Sequence, residues 1–262
     1  MGRKENGMSE RKATVAALLA ALGDLTPEEM LALADHPGEF KAFCTGLYAE
    51  EVRNTFVIPL LDWEVQIQFP QFADRLPPWR RLAVFKGYGG PVAWKIMPGF
   101  MVNKHAQLVG PCYSGVEYTR MWDNLPETPT KSCLVFWMPR LLKDSTVTNI
   151  ALMEEWRAVI KQEYTFPPNH CDSFGSIQLL FALILAHFKR TGERVLSGYQ
   201  YAVSDSYDEC GSRIFACEYK EDGLRLSVKD GPFNHERYGF FPIGVEELDE
   251  PAKPAVAKLT AP

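Results

Sequence analysis

The stretch CDSFGSIQLLFALILAHFKRTGER, residues 171–194, decides the fold, because the sixteen residues from Ser173 to Phe188 include no Asp, Glu, Lys or Arg. As a helix, this segment would span about 24 Å at ~1.5 Å per residue, which is less than the roughly 30 Å of a bilayer core. Its apolar side chains point in every direction around the helical period, and a helix that is apolar on all sides is buried on all sides. The sequence therefore predicts a central core helix and not a membrane span.

Polar and glycine residues mark the expected ends of this core helix. Asp172 or Ser173 is the predicted N-cap, since short polar side chains accept hydrogen bonds from the first backbone N–H groups of a helix. Lys189 and Arg190 lie near the negative C-terminal end of the helix dipole, and Gly192 is the predicted stop.

The composition describes a globular chain of 262 residues, 46% of them apolar, with a net charge of −5. This charge argues against a dedicated nucleic-acid partner, which would need a concentrated basic face. The charged start MGRKENGMSERK lacks the apolar core of a secretory signal, so we expect a cytoplasmic protein with no membrane partner. The six cysteines form no CxxC pair and are expected to be reduced, although Cys210 and Cys217 could face each other across a hairpin.

Composition and periodicity divide the chain into five parts. Charge at the start and alternating Pro, Ala and Lys at the end predict disorder in residues 1–11 and 249–262. Residues 12–54 have helical composition, with Thr26, Pro27 and Glu29 arranged as a capping box. The remaining two parts are a β-rich intermediate segment, 55–129, and an α+β domain, 130–248.

Short sequence patterns predict the elements of these two parts. WEVQIQF (63–69) alternates with a period of two and predicts a strand, as do the runs around VAWKI and CLVFWM. KGYGGP (86–91) predicts a hairpin turn, and residues 145–164 predict a helix. After Gly192 the chain consists of short apolar segments separated by turn signals, which predicts an antiparallel meander.

The order of these elements, together with HFKRTGER (187–194), GLRLSVKD (223–230) and the closing GV (244–245), resembles uncharacterised bacterial proteins of the C-type-lectin-like fold. The resemblance covers about residues 130–248. It implies that the first and last strands of the domain pair with each other. Some lectin-fold proteins with similar endings are variable proteins, the targets of diversity-generating retroelements that mutate codons for exposed residues in the last strands and loops.

The sequence departs from this family in ways that bear on cofactors. The Glu-Pro-Asn, Gln-Pro-Asp and Trp-Asn-Asp motifs of calcium-dependent sugar-binding members do not occur, and FNHERYGFF (233–241) stands in the comparable place. The paired cysteines of the formylglycine-generating relatives are not recognisable either. The acidic cluster SDSYDEC (204–210) offers oxygen ligands without the spacing of a calcium loop. We therefore expect no metal and no other cofactor.

Two groups of residues are candidates for function. The first group precedes the core helix and consists of His170, Cys171 and Asp172. The helix dipole could stabilise a thiolate of Cys171 there. The alternative is structural: Asp172 caps the helix and Cys171 packs as a small apolar residue. The second group lies in the final strands and loops and combines contact area with polar groups, as binding surfaces do. Its members are Tyr199, Tyr201, Tyr207, Asp208, Arg213, Asn234, His235, Arg237 and Tyr238.

We predict a non-enzymatic protein that binds an unidentified protein or small ligand through this second group. The N-terminal helices would then serve docking or homo-oligomerisation. Two alternatives stay open: an enzyme that uses Cys171 with His170 or His105, and a structural subunit that assembles through its N-terminal helices.

Overall fold

The computed structural model describes residues 56–113, 125, 128–142, 150–198, 200–229 and 238–248. The predicted helical unit at 12–54 and the two predicted disordered ends lie outside the described residues.

The described residues form eight strands, five α-helices and one 3-10 helix. In chain order they are β1 (Val57–Leu60), α1 (Asp62–Gln68), the 3-10 helix (Pro70–Arg75), α2 (Leu76–Phe85), β2 (Ala93–Ile96), α3 (Val102–Val109), β3 (Cys133–Trp137), α4 (Ile150–Tyr164), α5 (Ile177–Thr191), β4 (Tyr201–Tyr207), β5 (Arg213–Lys220), β6 (Gly223–Lys229), β7 (Tyr238–Gly239) and β8 (Ile243–Glu247).

The strands form two four-stranded sheets, which together with the helices give the expected α+β class. The first sheet has the order β1-β2-β3-β8 and is antiparallel throughout. The second has the order β6-β5-β4-β7; β4, β5 and β6 form the predicted antiparallel meander. The chain then departs from a meander, because β7 pairs parallel with β4 and β8 joins the other sheet beside β3.

Helix α5 is the predicted core helix. All of its residues from Ile177 to His187 are buried, and the helix packs against α3 and against strands of both sheets. Gly192 ends it in the left-handed conformation, with a φ of 72°, as expected. The start is later than predicted: Ser176 is the N-cap and accepts a hydrogen bond from the Leu179 amide at 3.2 Å. Asp172 instead pairs with Lys161.

A membrane-crossing helix is not found among the described residues, since none of their helices combines the necessary length and apolar character.

The predicted strand WEVQIQF is wrong, because these residues belong almost entirely to helix α1. The Glu64 carboxylate accepts a hydrogen bond from the Leu61 amide at 2.7 Å, which satisfies a free N–H group at the helix start. Trp63 and Val65 are buried on the helix as they would be on a strand. Over seven residues, helical and strand periods can produce the same alternation of buried and exposed positions.

The intermediate segment, 55–129, is mainly helical and not β-rich in its described residues, since 56–113 holds two strands of four residues beside three α-helices. KGYGGP is not a hairpin turn, because it connects α2 to β2. Strands β1 and β2 extend the sheet of β3 and β8, so one sheet crosses the expected boundary at residue 130. The two segments therefore share a core.

Candidate functional site

Tyr201 and Tyr238 support the second sheet instead of presenting a surface. They are register partners on β4 and β7, and their rings stack with centroids 4.8 Å apart. Tyr238 is only 3% exposed, so it is not accessible to a ligand in this arrangement. Tyr199, Asn234, His235 and Arg237 lie outside the described residues.

Tyr207 is the one residue of the predicted binding group that the structure describes as a largely exposed aromatic, with 45% of its surface accessible. The Arg213 guanidinium lies over its ring, 4.8 Å from the centroid, and donates a hydrogen bond to its hydroxyl. Arg213 is held in turn by the Ser204 carbonyl at 2.9 Å and by Asp205 at 3.6 Å. Tyr207 therefore projects from a rigid support.

Asp208 has a local structural role in the turn between β4 and β5. Its Oδ1 accepts hydrogen bonds from the amides of Cys210 at 2.9 Å and Ser212 at 2.8 Å. Cys210 is exposed in this turn and Cys217 is buried on β5; both are free thiols, so they do not pair.

Phe174 lies beneath Arg213, which holds Tyr207, and connects this pair to the interior of the protein. This buried ring carries the Arg213 guanidinium at 5.8 Å and the Arg157 guanidinium at 4.3 Å from its centroid. We refer to Tyr207, Arg213, Phe174 and Arg157 together as the Phe174 stack. It connects β4 and β5 with helix α4.

A cavity of about 420 Å³, here called the Tyr207 cavity, lies beside this tyrosine. The loop 128–131, the start of α5, the end of β4 and residues of β8 form its walls. Ser206 lines it, and the Ser206 Oγ accepts a hydrogen bond from the Ile177 amide at 2.9 Å, which leaves its hydroxyl hydrogen available to a ligand. The size lies at the small end of ligand pockets.

A second cavity of about 400 Å³, here called the Arg157 cavity, lies beside α4. Arg157, Lys161, Thr165, Cys171 and Asp172 are among the residues that line it. It therefore contains the cysteine that the sequence singles out as a candidate nucleophile.

Cys171 lacks the environment of a reactive thiol. It is 1% exposed, and burial raises the pKa of its thiol to about 12, so the thiol stays protonated near neutral pH. The Sγ atom lies 3.9 Å from the Arg157 carbonyl oxygen. These properties are typical of a structural cysteine.

His170 does not act as a base toward Cys171, because both of its ring nitrogens are occupied. Its Nδ1 accepts a hydrogen bond from the Trp79 indole at 2.8 Å, and its Nε2 donates to Glu246 at 3.0 Å. The Arg75 side chain donates to the same Glu246 oxygen at 3.0 Å. Burial lowers the pKa of His170 to about 4, so the ring is neutral at physiological pH.

His105 also has a local role. Its Nδ1 accepts a hydrogen bond from the Met101 amide at the start of α3, and its ring packs against Phe56 and Phe100. Together these contacts give no support to the cysteine-dependent enzyme.

The described residues contain no group of three or more His, Cys, Asp or Glu side chains that could hold a metal ion. Asp205 serves the backbone instead: its Oδ2 accepts hydrogen bonds from the amides of Phe174 at 2.7 Å and Gly175 at 3.1 Å.

Sequence reasoning missed Arg157, Trp79 and Glu246. Each lies on an element remote in sequence from its partner, so no local pattern could reveal the contact.

Comparison with known proteins adds no assignment: no protein-family model, no curated protein and no solved structure matches this chain.

Proposed function

We propose that this chain is a non-enzymatic, cytoplasmic binding protein whose residues 130–248 have the C-type-lectin-like fold and pack on a core that they share with residues 56–113. Two features support the proposal. The order β3, α4, α5, β4, β5, β6, β7, β8 is a strand, two helices and then several short strands, as the resemblance implies, and the first and last of these strands pair antiparallel.

The ligand face in this proposal is the surface around Tyr207, together with Asn234, His235 and Arg237 from the sequence. The observation that carries it is the exposed Tyr207 ring, held by Arg213 at the edge of the Tyr207 cavity. A fixed aromatic ring provides contact area at little entropy cost, and nearby hydroxyl groups provide hydrogen bonds. The ligand is an unidentified protein or small molecule.

A quadruple substitution of Tyr207, Asn234, His235 and Arg237 by Ala tests this proposal. Wild type and variant would be compared on the same arrays of immobilised glycans and peptides, with thermal unfolding measured in parallel. We expect binding to be lost while the free energy of unfolding changes by about 0.5 kcal/mol or less for each substitution, as is usual for a surface position.

Phe85→Ala is the matched control, since Phe85 is an aromatic residue that is 69% exposed on α2. It should leave array binding unchanged. Binding by the quadruple variant that equals wild type would place the interaction elsewhere and favour the structural-subunit alternative. Unfolding of the quadruple variant would mean that these residues pack the domain, which also contradicts the proposed face.

A further inference from the structure

Arg157 differs from Arg213, the other arginine of the Phe174 stack, because its guanidinium has no polar partner in the part of the chain that the structure describes. The side chain is half-buried on α4 and lies flat over Phe174, 4.3 Å from the ring centroid. Among the described residues, nothing accepts a hydrogen bond from this guanidinium or forms an ion pair with it. A guanidinium has five N–H donors in a fixed plane, so stacking orients them before any ligand arrives.

Of the three cations that the structure describes around this cavity and the Phe174 ring, only Arg157 has no carboxylate partner. Arg213, on the same ring, has Asp205 at 3.6 Å, and Lys161, in the same cavity, has Asp172 at 2.5 Å. Glu154 lines the cavity too, but it makes no ion pair with Arg157. Because two carboxylates already line the cavity, a monoanion fits this charge balance better than a phosphate dianion does.

The backbone around the cavity is strained at two of its lining residues. Thr165 and Cys171 have φ values of 57° and 58°, in the left-handed region that favours glycine. The Phe166 amide bonds to the Lys161 carbonyl at 3.0 Å and the Thr165 amide to the Gln162 carbonyl at 3.2 Å. This is a Schellman motif, in which Thr165 takes the usual glycine position. Such strain concentrates at ligand sites, where a particular side chain is needed.

We propose that the Arg157 cavity is a second binding site, which takes a small ligand or peptide carrying a carboxylate. The carboxylate pairs bidentately with the Arg157 fork, and the Thr165 hydroxyl donates to it. Phe166 and Ala158, which also line the cavity, receive the apolar body of the ligand. This site is independent of the ligand face around Tyr207.

The test uses benzoate as the probe and benzamide as its neutral counterpart of the same shape. The Nε–H resonance of Arg157 in the full-length protein is followed by NMR during titration with each compound. We expect benzoate to shift this resonance at millimolar concentrations and benzamide to have no effect. Arg157→Gln should weaken benzoate binding by about tenfold or more. Arg157→Lys should weaken it less than Arg157→Gln does, since lysine keeps the positive charge but lacks the bidentate fork.

Two further variants make the result specific. Glu154→Gln removes a negative charge from the cavity lining and should strengthen benzoate binding. Arg194→Gln is the matched control, because Arg194 also stacks on a phenylalanine, Phe188, but lies outside the cavity lining; it should have no effect. Unfolding curves of all variants show whether each still folds.

The proposal is overturned if benzoate at tens of millimolar leaves the Arg157 resonance unmoved, if benzamide binds equally well, or if folded Arg157→Gln binds like wild type. The source of the carboxylate is separated by a third titration, with a short peptide that has a free C-terminus and the same peptide amidated. If the peptide with a free C-terminus binds with much higher affinity than benzoate, the natural ligand is a peptide carboxylate. If the two affinities are equal, the natural ligand is a free organic acid.

Discussion

Thr165 has a left-handed backbone conformation that a β-branched side chain disfavours. A β-branched side chain at a φ of 57° costs of order 1–3 kcal/mol relative to an unstrained position. Thr165→Gly should therefore raise the free energy of unfolding by about 1 kcal/mol, after the added flexibility of the unfolded chain is subtracted. Chemical denaturation measures the change.

Asn169→Gly is the control for this substitution. Asn169 has a φ of 66°, but asparagine tolerates the left-handed region, so the gain should be smaller. A Thr165→Gly protein that is less stable than wild type would show that the threonine side chain makes a stabilising contact that outweighs its strain.

His170 makes stability depend on acidity. Burial lowers its pKa from 6.5 to about 4 in the folded protein, so between these values the unfolded chain binds a proton that the folded protein does not. Stability should therefore fall as pH decreases from about 6.5 to 4, by up to roughly 3 kcal/mol from this residue. Urea unfolding across this range tests the loss, and NMR titration of the imidazole reports its midpoint; a native midpoint near 6.5 would contradict the prediction.

At the scale of elements, α5 supports both sheets, and its stability contribution can be measured from single side chains. Leu180 and Ile184 are fully buried, so replacing either with Ala removes apolar contacts and leaves a cavity. We expect a loss of about 2–5 kcal/mol in the free energy of unfolding. Val159→Ala on α4, where the valine is 56% exposed, should change stability by less than about 0.5 kcal/mol. Melting behaviour unchanged by Leu180→Ala would refute the core assignment.

Helices and strands could be predicted from the sequence where a property of the segment itself determines them. The uncharged run and Gly192 gave α5 and its end, because burial on all sides and a left-handed stop depend on the segment itself. The period of two at 63–69 misled, since the Leu61 and Glu64 cap and the surrounding packing select a helix there. Tyr207 and Arg213 are six residues apart on neighbouring strands and could be grouped from sequence, whereas Arg157 meets Phe174 only through tertiary packing.

At the scale of the whole molecule, residues 56–113 are part of the same folding unit as the rest. β3 lies between β2 and β8, and Trp94 of β2 is buried in the cluster that also contains α5. A fragment of residues 130–248 would expose one edge of β3 and this apolar face, so we expect it to aggregate or stay unfolded. A fragment of residues 56–248 should fold. Circular dichroism and size-exclusion chromatography compare the two; a monomeric, folded 130–248 fragment would contradict the shared core.

The register of the first sheet places its two ends side by side. Val57, Ile96, Cys133 and Glu247 form one row across the four strands, so the chain enters and leaves the described sheet at the same end, about 14 Å apart at three strand spacings. Tension applied between these points loads the hydrogen bonds of β8 one pair after another, like a zipper, and meets little mechanical resistance. Cys133 and Glu247, the first pair to separate, also line the Tyr207 cavity. A pull on the flanking chain would therefore change the walls of that cavity before it disturbs the rest of the sheet.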